Sequence, residues 1–254
     1  RVSVANDGSQ ANGQSSNAGV SGDGRYVAFL SDAANLVTGD TNARYDVFVR
    51  DRQLGTTTRV SVASDGTQGN DHSGEGWISA DGRYVTFTSY ASNLVPGDTN
   101  GTRDVFVRDL QTGMTERVSV ATDGTQANAY SFFPSISDSG RIVAYDSSAA
   151  NLVAADTNGA FDVFVRDRLR GTTARISNGP NGAQANGASW WGATNSSGRF
   201  VAFQSVARNL VPDDTNQKRD IFLWKAPDRT TYAYDGLYRL TGVDAPEGTR
   251  TYAY

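Results

Sequence analysis

Four times along the chain the pattern Asp-x-Asn-x-x-x-Asp places two carboxylates and an amide on one short stretch. The sets are Asp40/Asn42/Asp46, Asp98/Asn100/Asp104, Asp156/Asn158/Asp162 and Asp214/Asn216/Asp220. Hard oxygen donors on a turn, completed by carbonyls and water, suit Ca2+. The same residues also build Asx-turns, in which the side chain accepts from a nearby backbone N–H. A calcium-stabilised loop and a plain turn are both open at this level. An EF-hand is not. Asp109 holds the twelfth place counted from Asp98, but the stretch from Asp104 to Asp109 reads as extended strand and carries Asp109 about 16 Å from Asp104. Repeat four has Lys225 at that place.

A second polar set keeps the same step: Gln10/Asn12/Ser15, Gln68/Asn70/Ser73, Gln126/Asn128/Ser131 and Gln184/Asn186/Ser189. Its amides and hydroxyls could bond a sugar, or satisfy backbone groups where the chain crosses between units. Aromatics that do not repeat follow it: Trp77, Tyr130, Phe132, Phe133, Trp190 and Trp191. Sugar faces stack on such rings, so Trp77, Tyr130, Trp190 and Trp191 are candidate ligand contacts, with packing between sheets as the alternative. No catalysis is expected. His72 is the single histidine, with Gln14 and Tyr130 at the corresponding places, and the chain has no Cys. No Ser-His-Asp set forms without His72, and no carboxylate pair stands apart from the repeated loops.

What positions these residues is an internal repeat. "RVSVANDG" at Arg1 returns at Arg59 and Arg117 and, as "RISNGPNG", at Arg175, always 58 residues on. "GRYVAF" at Gly24 returns at Gly82, Gly140 and Gly198 with the same step. Repetition without insertion is the mark of a repeat architecture. Each unit reads as four strands, in the second unit 76–79, 84–89, 104–109 and 116–121. Consecutive apolar Val105, Phe106 and Val107 predict a strand covered on both faces. Alternation in "RVSV" predicts an outer strand with one wet face. A four-stranded sheet repeated radially is a β-propeller blade. The expected fold is therefore an all-β propeller of four 58-residue, four-stranded blades, with repeats 1–58, 59–116, 117–174 and 175–228.

The strings "SADGRYVTFTS", "DVFVRDLQTG" and "RVSV" resemble the TolB-like, WD-like propeller repeats of bacterial envelope and secreted proteins, over residues 1–228. The tail 229–254, with "TYAY" twice, resembles the YD repeat of Rhs proteins, which implies extended β-structure. Both resemblances imply an extracellular or cell-surface setting. The chain begins in mid-pattern, as a processed chain or a fragment would.

Net charge is −4 and no Lys/Arg stripe forms, so no nucleic-acid partner is expected. No window approaches the roughly 20 apolar residues of a membrane helix, so no membrane insertion is expected. Two segments compete to complete blade four, residues 1–5 and residues 230–234. Whichever is left over could pair with another chain. The expected function is a non-enzymatic structural or adhesive protein that self-associates through strands 1–5 and 230–254 into a filament or larger assembly. The alternative is a carbohydrate- or protein-binding module of a larger secreted protein, with a glycosidase or lyase behind both.

Overall fold

The computed structural model describes residues 1–227, 231–234, 240–245 and 248–251. Blade one is β1 (Ser15–Val20), β2 (Tyr26–Ser31), β3 (Asp46–Asp51) and β4 (Thr56–Arg59), paired antiparallel in that order. Blade two is β5 (Ser73–Ile78), β6 (Tyr84–Ser89), β7 (Asp104–Asp109) and β8 (Thr115–Arg117). Blade three is β9 (Ser131–Ile136), β10 (Ile142–Ser147), β11 (Asp162–Asp167) and β12 (Thr172–Arg175). Blade four has three strands, β13 (Ser189–Thr194), β14 (Phe200–Ser205) and β15 (Asp220–Lys225).

The chain divides into two compact units, Arg1–Trp224 and Lys225–Tyr254. In the second, β16 (Thr231–Tyr234), β17 (Leu240–Ala245) and β18 (Gly248–Thr251) form an antiparallel sheet of their own. The expected tail therefore contains strands, while its residues 229–230, 235–239, 246–247 and 252–254 lie outside the described residues.

The core lies between blades. Val47 and Val49 of β3 share a buried cluster with Val85 and Phe87 of β6. Val105 and Val107 do the same with Val143 and Tyr145, and Val163 and Val165 with Val201 and Phe203. Full burial of one such side chain is worth about 1.5–3 kcal/mol, so the repeated valine pairs account for much of the cohesion. Within blades the phenyl rings of the second and third strands stack, Phe87 on Phe106 at 5.7 Å for example.

Three expectations need correction. The outer strand does not run to residue 121, because β8 ends at Arg117. Ser119 is fully buried rather than wet. Its hydroxyl donates to Asp104 Oδ1 at 2.5 Å and accepts Val105 N–H at 3.1 Å, which turns the chain out of the sheet. The first strand starts earlier than expected, at Ser73, because a bulge between Gly74 and Trp77 breaks its period-two pattern.

Among the described residues blade four pairs three strands, and the candidate at residues 1–5 is not one of them. Arg1–Ala5 takes in blade one the place that Arg59–Ala63 takes in blade two. Thr57 Oγ1 donates to Val4 O at 2.6 Å, as Thr115 Oγ1 does to Val62 O at 2.7 Å. Residues 1–5 are thus committed to their own blade, and β16 pairs with β17.

Candidate functional site

The acidic loops carry their own counter-charge. Arg59 Nη1 lies 3.0 Å from Asp40 Oδ1 and 3.5 Å from Asp46 Oδ2. Arg117 repeats this on Asp98 and Asp104, and Arg175 on Asp156 and Asp162.

In the first three loops the amides of Asn42, Asn100 and Asn158 face the acids of their own loop. Each turns its N–H group to the acid four residues on. Asn42 Nδ2 donates to Asp46 Oδ2 at 2.9 Å, Asn100 Nδ2 to Asp104 Oδ2 at 2.7 Å and Asn158 Nδ2 to Asp162 Oδ2 at 2.9 Å. The same amides also donate to Gly69 O, Ala127 O and Ala185 O. Their oxygens are engaged too. Oδ1 of Asn42 accepts Arg44 N–H at 3.0 Å, that of Asn100 accepts Thr102 N–H at 3.1 Å, and that of Asn158 accepts Ala160 N–H at 3.0 Å. That is the Asx-turn geometry, with a guanidinium at the place a cation would take. Burial nonetheless outweighs these partners and pushes the Asp104 carboxyl up to about 6.

The fourth loop differs, since Ala233 stands one period after Arg175. There Asn216 Nδ2 donates to Asp220 Oδ2 at 3.0 Å, and its Oδ1 accepts Lys218 N–H at 2.7 Å. Among the described residues, no three His, Cys, Asp or Glu side chains are grouped to hold a metal ion.

The second polar set serves the chain crossings. Asn70 N–H donates to Asn93 Oδ1 and Asn93 Nδ2 to Gln68 O, while Gln68 Oε1 accepts from Arg59. Ser73 pairs with Ser89 at 3.0 Å.

A different site emerges where the repeats diverge. Ser15, Ser73, Ser131 and Ser189 are identical across repeats, as are Ser31, Ser89, Ser147 and Ser205 facing them. Two residues on, the same four strands carry Asn17, Glu75, Phe133 and Trp191, all left-handed with φ of 50°, 50°, 48° and 58°. Such residues cost of order 1–3 kcal/mol each and gather at functional sites. The bulge re-aims each side chain away from the alternating pattern. Phe133 is 41% and Trp191 56% exposed.

Carboxylates from one blade hold the bulge of the next. Asp146 accepts Trp191 N–H at 2.6 Å and Gly192 N–H at 3.3 Å. Glu75 Oε2 accepts Phe133 N–H at 3.3 Å and the Thr88 hydroxyl at 3.2 Å. Burial, with the Glu75 charge adding to it, pushes the Asp146 carboxyl up to about 7 against the pull of those two N–H groups. Arg103 Nη1 lies 3.3 Å from Glu75 Oε1, and its guanidinium stands 5.1 Å from the Phe132 ring centroid. Arg103 Nε is buried without a hydrogen-bond partner.

Around these groups runs a continuous aromatic surface. Tyr130 stacks on Phe132 at 5.8 Å, Phe132 meets Phe133 at 6.0 Å, and Phe133 meets Trp191 edge-on at 6.0 Å. A cleft of about 290 Å³ adjoins it, lined by Gln14, Asn17, Tyr45, His72, Glu75 and Arg103 among others. Of the four aromatic ligand candidates, Tyr130 and Trp191 are brought together. Trp190 lies under Arg219, whose guanidinium carbon is 5.5 Å from its ring. Trp77 is elsewhere, packed against Gly19 of blade one. His72 Nδ1 accepts Tyr45 N–H at 3.1 Å.

Sequence reasoning missed Glu75, Arg103 and Asp146 because it weighed what recurs. The signal lay in what departs from the repeat: Leu30, Thr88, Asp146 and Gln204 occupy one register position, with four different chemistries.

No family model matches the chain, and no curated protein matches it. Among solved structures it resembles one from an analysis of two prolyl endopeptidases, at 11% identity and TM-score 0.51, over 85% of this chain and 28% of that one. TolB from Acinetobacter baumannii is similar at 14% identity and TM-score 0.45, over 93% of this chain and 49% of that one. The β-propeller domain of the Trilobed protease from Pyrococcus furiosus is similar at 12% identity and TM-score 0.48, over 85% of this chain and 56% of that one. The chain thus spans about half of the TolB chain and of the Trilobed domain structure, and less of the endopeptidase. The fold is that of a β-propeller, with TolB-like propellers among its structural neighbours.

Proposed function

We propose that this propeller segment is a non-catalytic carbohydrate-binding module that works outside the cell, where it serves adhesion. One observation carries the reading: exposed Phe133 and Trp191 form an edge-on pair on bulges pinned by Glu75 and Asp146. Rings held in fixed orientation beside amides and charges offer a sugar both a stacking face and hydrogen-bond partners. A binding role fits the ionisable groups better than catalysis, because each is already engaged. Both Asp146 oxygens accept backbone N–H groups, Glu75 is paired with Arg103, and His72 Nδ1 accepts Tyr45 N–H. Calcium forms no part of this reading for the first three loops, where Arg59, Arg117 and Arg175 hold the carboxylates. The extracellular setting rests on the resemblance of the repeat to envelope and secreted propellers.

A glycan array followed by calorimetry on the best ligand tests the reading. Trp191→Ala and Phe133→Ala should each weaken binding about tenfold, since an aromatic contact is worth about 0.5–1.5 kcal/mol beyond its area. Trp77→Ala should leave affinity unchanged. An array without a hit, or a Trp191→Ala variant that binds as the wild type does, refutes it.

A further inference from the structure

The three joints between blades are copies of one another, and each has a knob and a hole. Tyr26 lies over Gly82 of the next blade, Tyr84 over Gly140, and Ile142 over Gly198. The fit is so close that a β-carbon on those glycines would stand 2.3, 2.1 and 2.5 Å from the side chain. Beside each knob the valine pair of the third strand seals the joint, buried in a cluster shared with the next blade.

A fourth copy of each half exists without its match. Phe200 is the fourth knob by position, partly buried as Tyr26, Tyr84 and Ile142 are. Ile221 and Leu223 stand where the valine pairs stand elsewhere, and they are 75% and 68% exposed where Val47 and Val49 are 0% and 4%. At the opposite end Gly24 is the fourth hole, and around its would-be β-carbon only Arg52 Nη1 comes within 4 Å, at 3.7 Å. Beside it Val20 is 61% exposed, where its counterpart Ile78 is 9%. The principal strand packing runs from blade one to two, two to three and three to four, and does not return from four to one.

One chain thus carries both halves of a joint that it already makes three times within itself. Apolar faces of this kind mark association surfaces. Two unlike, complementary faces define a heterologous, head-to-tail contact, which closes into a ring or continues as a filament. We propose that the rear face of blade four, built on Phe200, Ile221 and Leu223, seats on the front face of blade one, at Gly24 and Val20, of a second copy of this chain. The occupant is a second copy because the joint is specific in register. A knob must meet a glycine, and a pair of β-branched or leucine side chains must meet the next blade's second strand. The front face of another copy supplies both.

The test is the mass of the full chain in solution by light scattering and sedimentation over a concentration series. The wild type should grow beyond the monomer as concentration rises. Leu223→Asp should weaken association at least about tenfold, because a charge would be buried without a partner. Val20→Asp should do the same from the other face. Both positions are exposed within the monomer, so both variants should fold, which thermal melts will check. An equal mixture of the two variants should recover a dimer and no larger species, since each chain keeps one sound half of the joint. A wild type that stays monomeric to its solubility limit overturns the proposal. So does a mixture that stays monomeric, or association that Leu223→Asp leaves unchanged, as it would be if strand edges or the tail sheet joined the chains.

Discussion

Asp146 of blade three accepts the backbone N–H of Trp191 in blade four at 2.6 Å, across the joint between them. The carboxylate therefore does two jobs. It satisfies an N–H that the bulge removes from the strand ladder, and it fixes the left-handed turn that exposes the indole. Glu75 does the same for Phe133. The bulges of blades three and four are thus each held by the blade before them rather than standing as independent loops.

Asp146 should make stability depend on pH near neutrality. Its folded value, pushed up to about 7 by burial, lies above the unfolded value of about 3.9. A raised acid contributes stability that is fully present below the unfolded value and is lost as pH rises through the folded one. The wild type should therefore lose stability between about pH 4 and 7 relative to Asp146→Asn, whose amide oxygen can still accept from Trp191. Urea midpoints measured across that range check this, and parallel profiles for the two proteins would refute it.

The opposite sign holds at the blade rims. Arg25 donates to Asp51 at 2.7 Å and holds that carboxyl down to about 2. Hydrogen bonds from Arg83 and Arg141 likewise lower the carboxyls of Asp109 and Asp167. Such groups contribute stability above the unfolded value that disappears as pH falls through the folded one. Arg25→Gln should accordingly be less stable than the wild type at pH 6 and close to it at pH 2. The difference should be small, since the Arg25 side chain is 32% exposed.

Arg117 is the counter-ion of a nearly dry site, its side chain 10% exposed over Asp98 at 5% and Asp104 at 0%. Removing one member of a buried ion pair costs about 3–5 kcal/mol. Arg117→Ala should cost about 3 kcal/mol at pH 8 and less at pH 5, where the stranded carboxyls can take up protons. If the guanidinium is the resident cation, EGTA should leave the wild-type melting temperature unchanged. A drop on chelation would mean that calcium, not arginine, neutralises these loops.

How much of this was legible depends on the kind of signal. The second and third strands of blade two could be read to the residue, at 84–89 and 104–109, because runs of β-branched and aromatic residues end there in turn residues. The outer strand could not. In Val118-Ser119-Val120 the alternation mimics a half-wet strand, while Ser119 is buried to bind Asp104. An amide's oxygen and nitrogen are equally present in a sequence, so the donation of Asn42, Asn100 and Asn158 to the acids of their own loops could not be read there. Arg117 stood in plain view at the head of its "RVSV", but its distance to Asp98 exists only once the blade is folded.

The knob-and-hole joint gives the sharpest test of the packing. The guanidinium carbons of Arg83 and Arg168 lie 4.8 and 4.7 Å from the Tyr84 ring centroid, contacts that favour its present position. Gly140 beneath it has φ +68, and a β-carbon there would stand 2.1 Å from Tyr84 Cδ2. Gly124 has φ +89 with nothing within 4 Å, which isolates the backbone part of the cost. Gly124→Ala should lose about 1 kcal/mol from its left-handed backbone alone. Gly140→Ala should lose about 1–3 kcal/mol more through overpacking. Adding Tyr84→Ala should relieve that excess, so a double-mutant cycle in urea should give a coupling of about 0.5–3 kcal/mol between the two positions. Equal losses for the two glycine variants, or no coupling, would mean that the blades are not locked by their knobs.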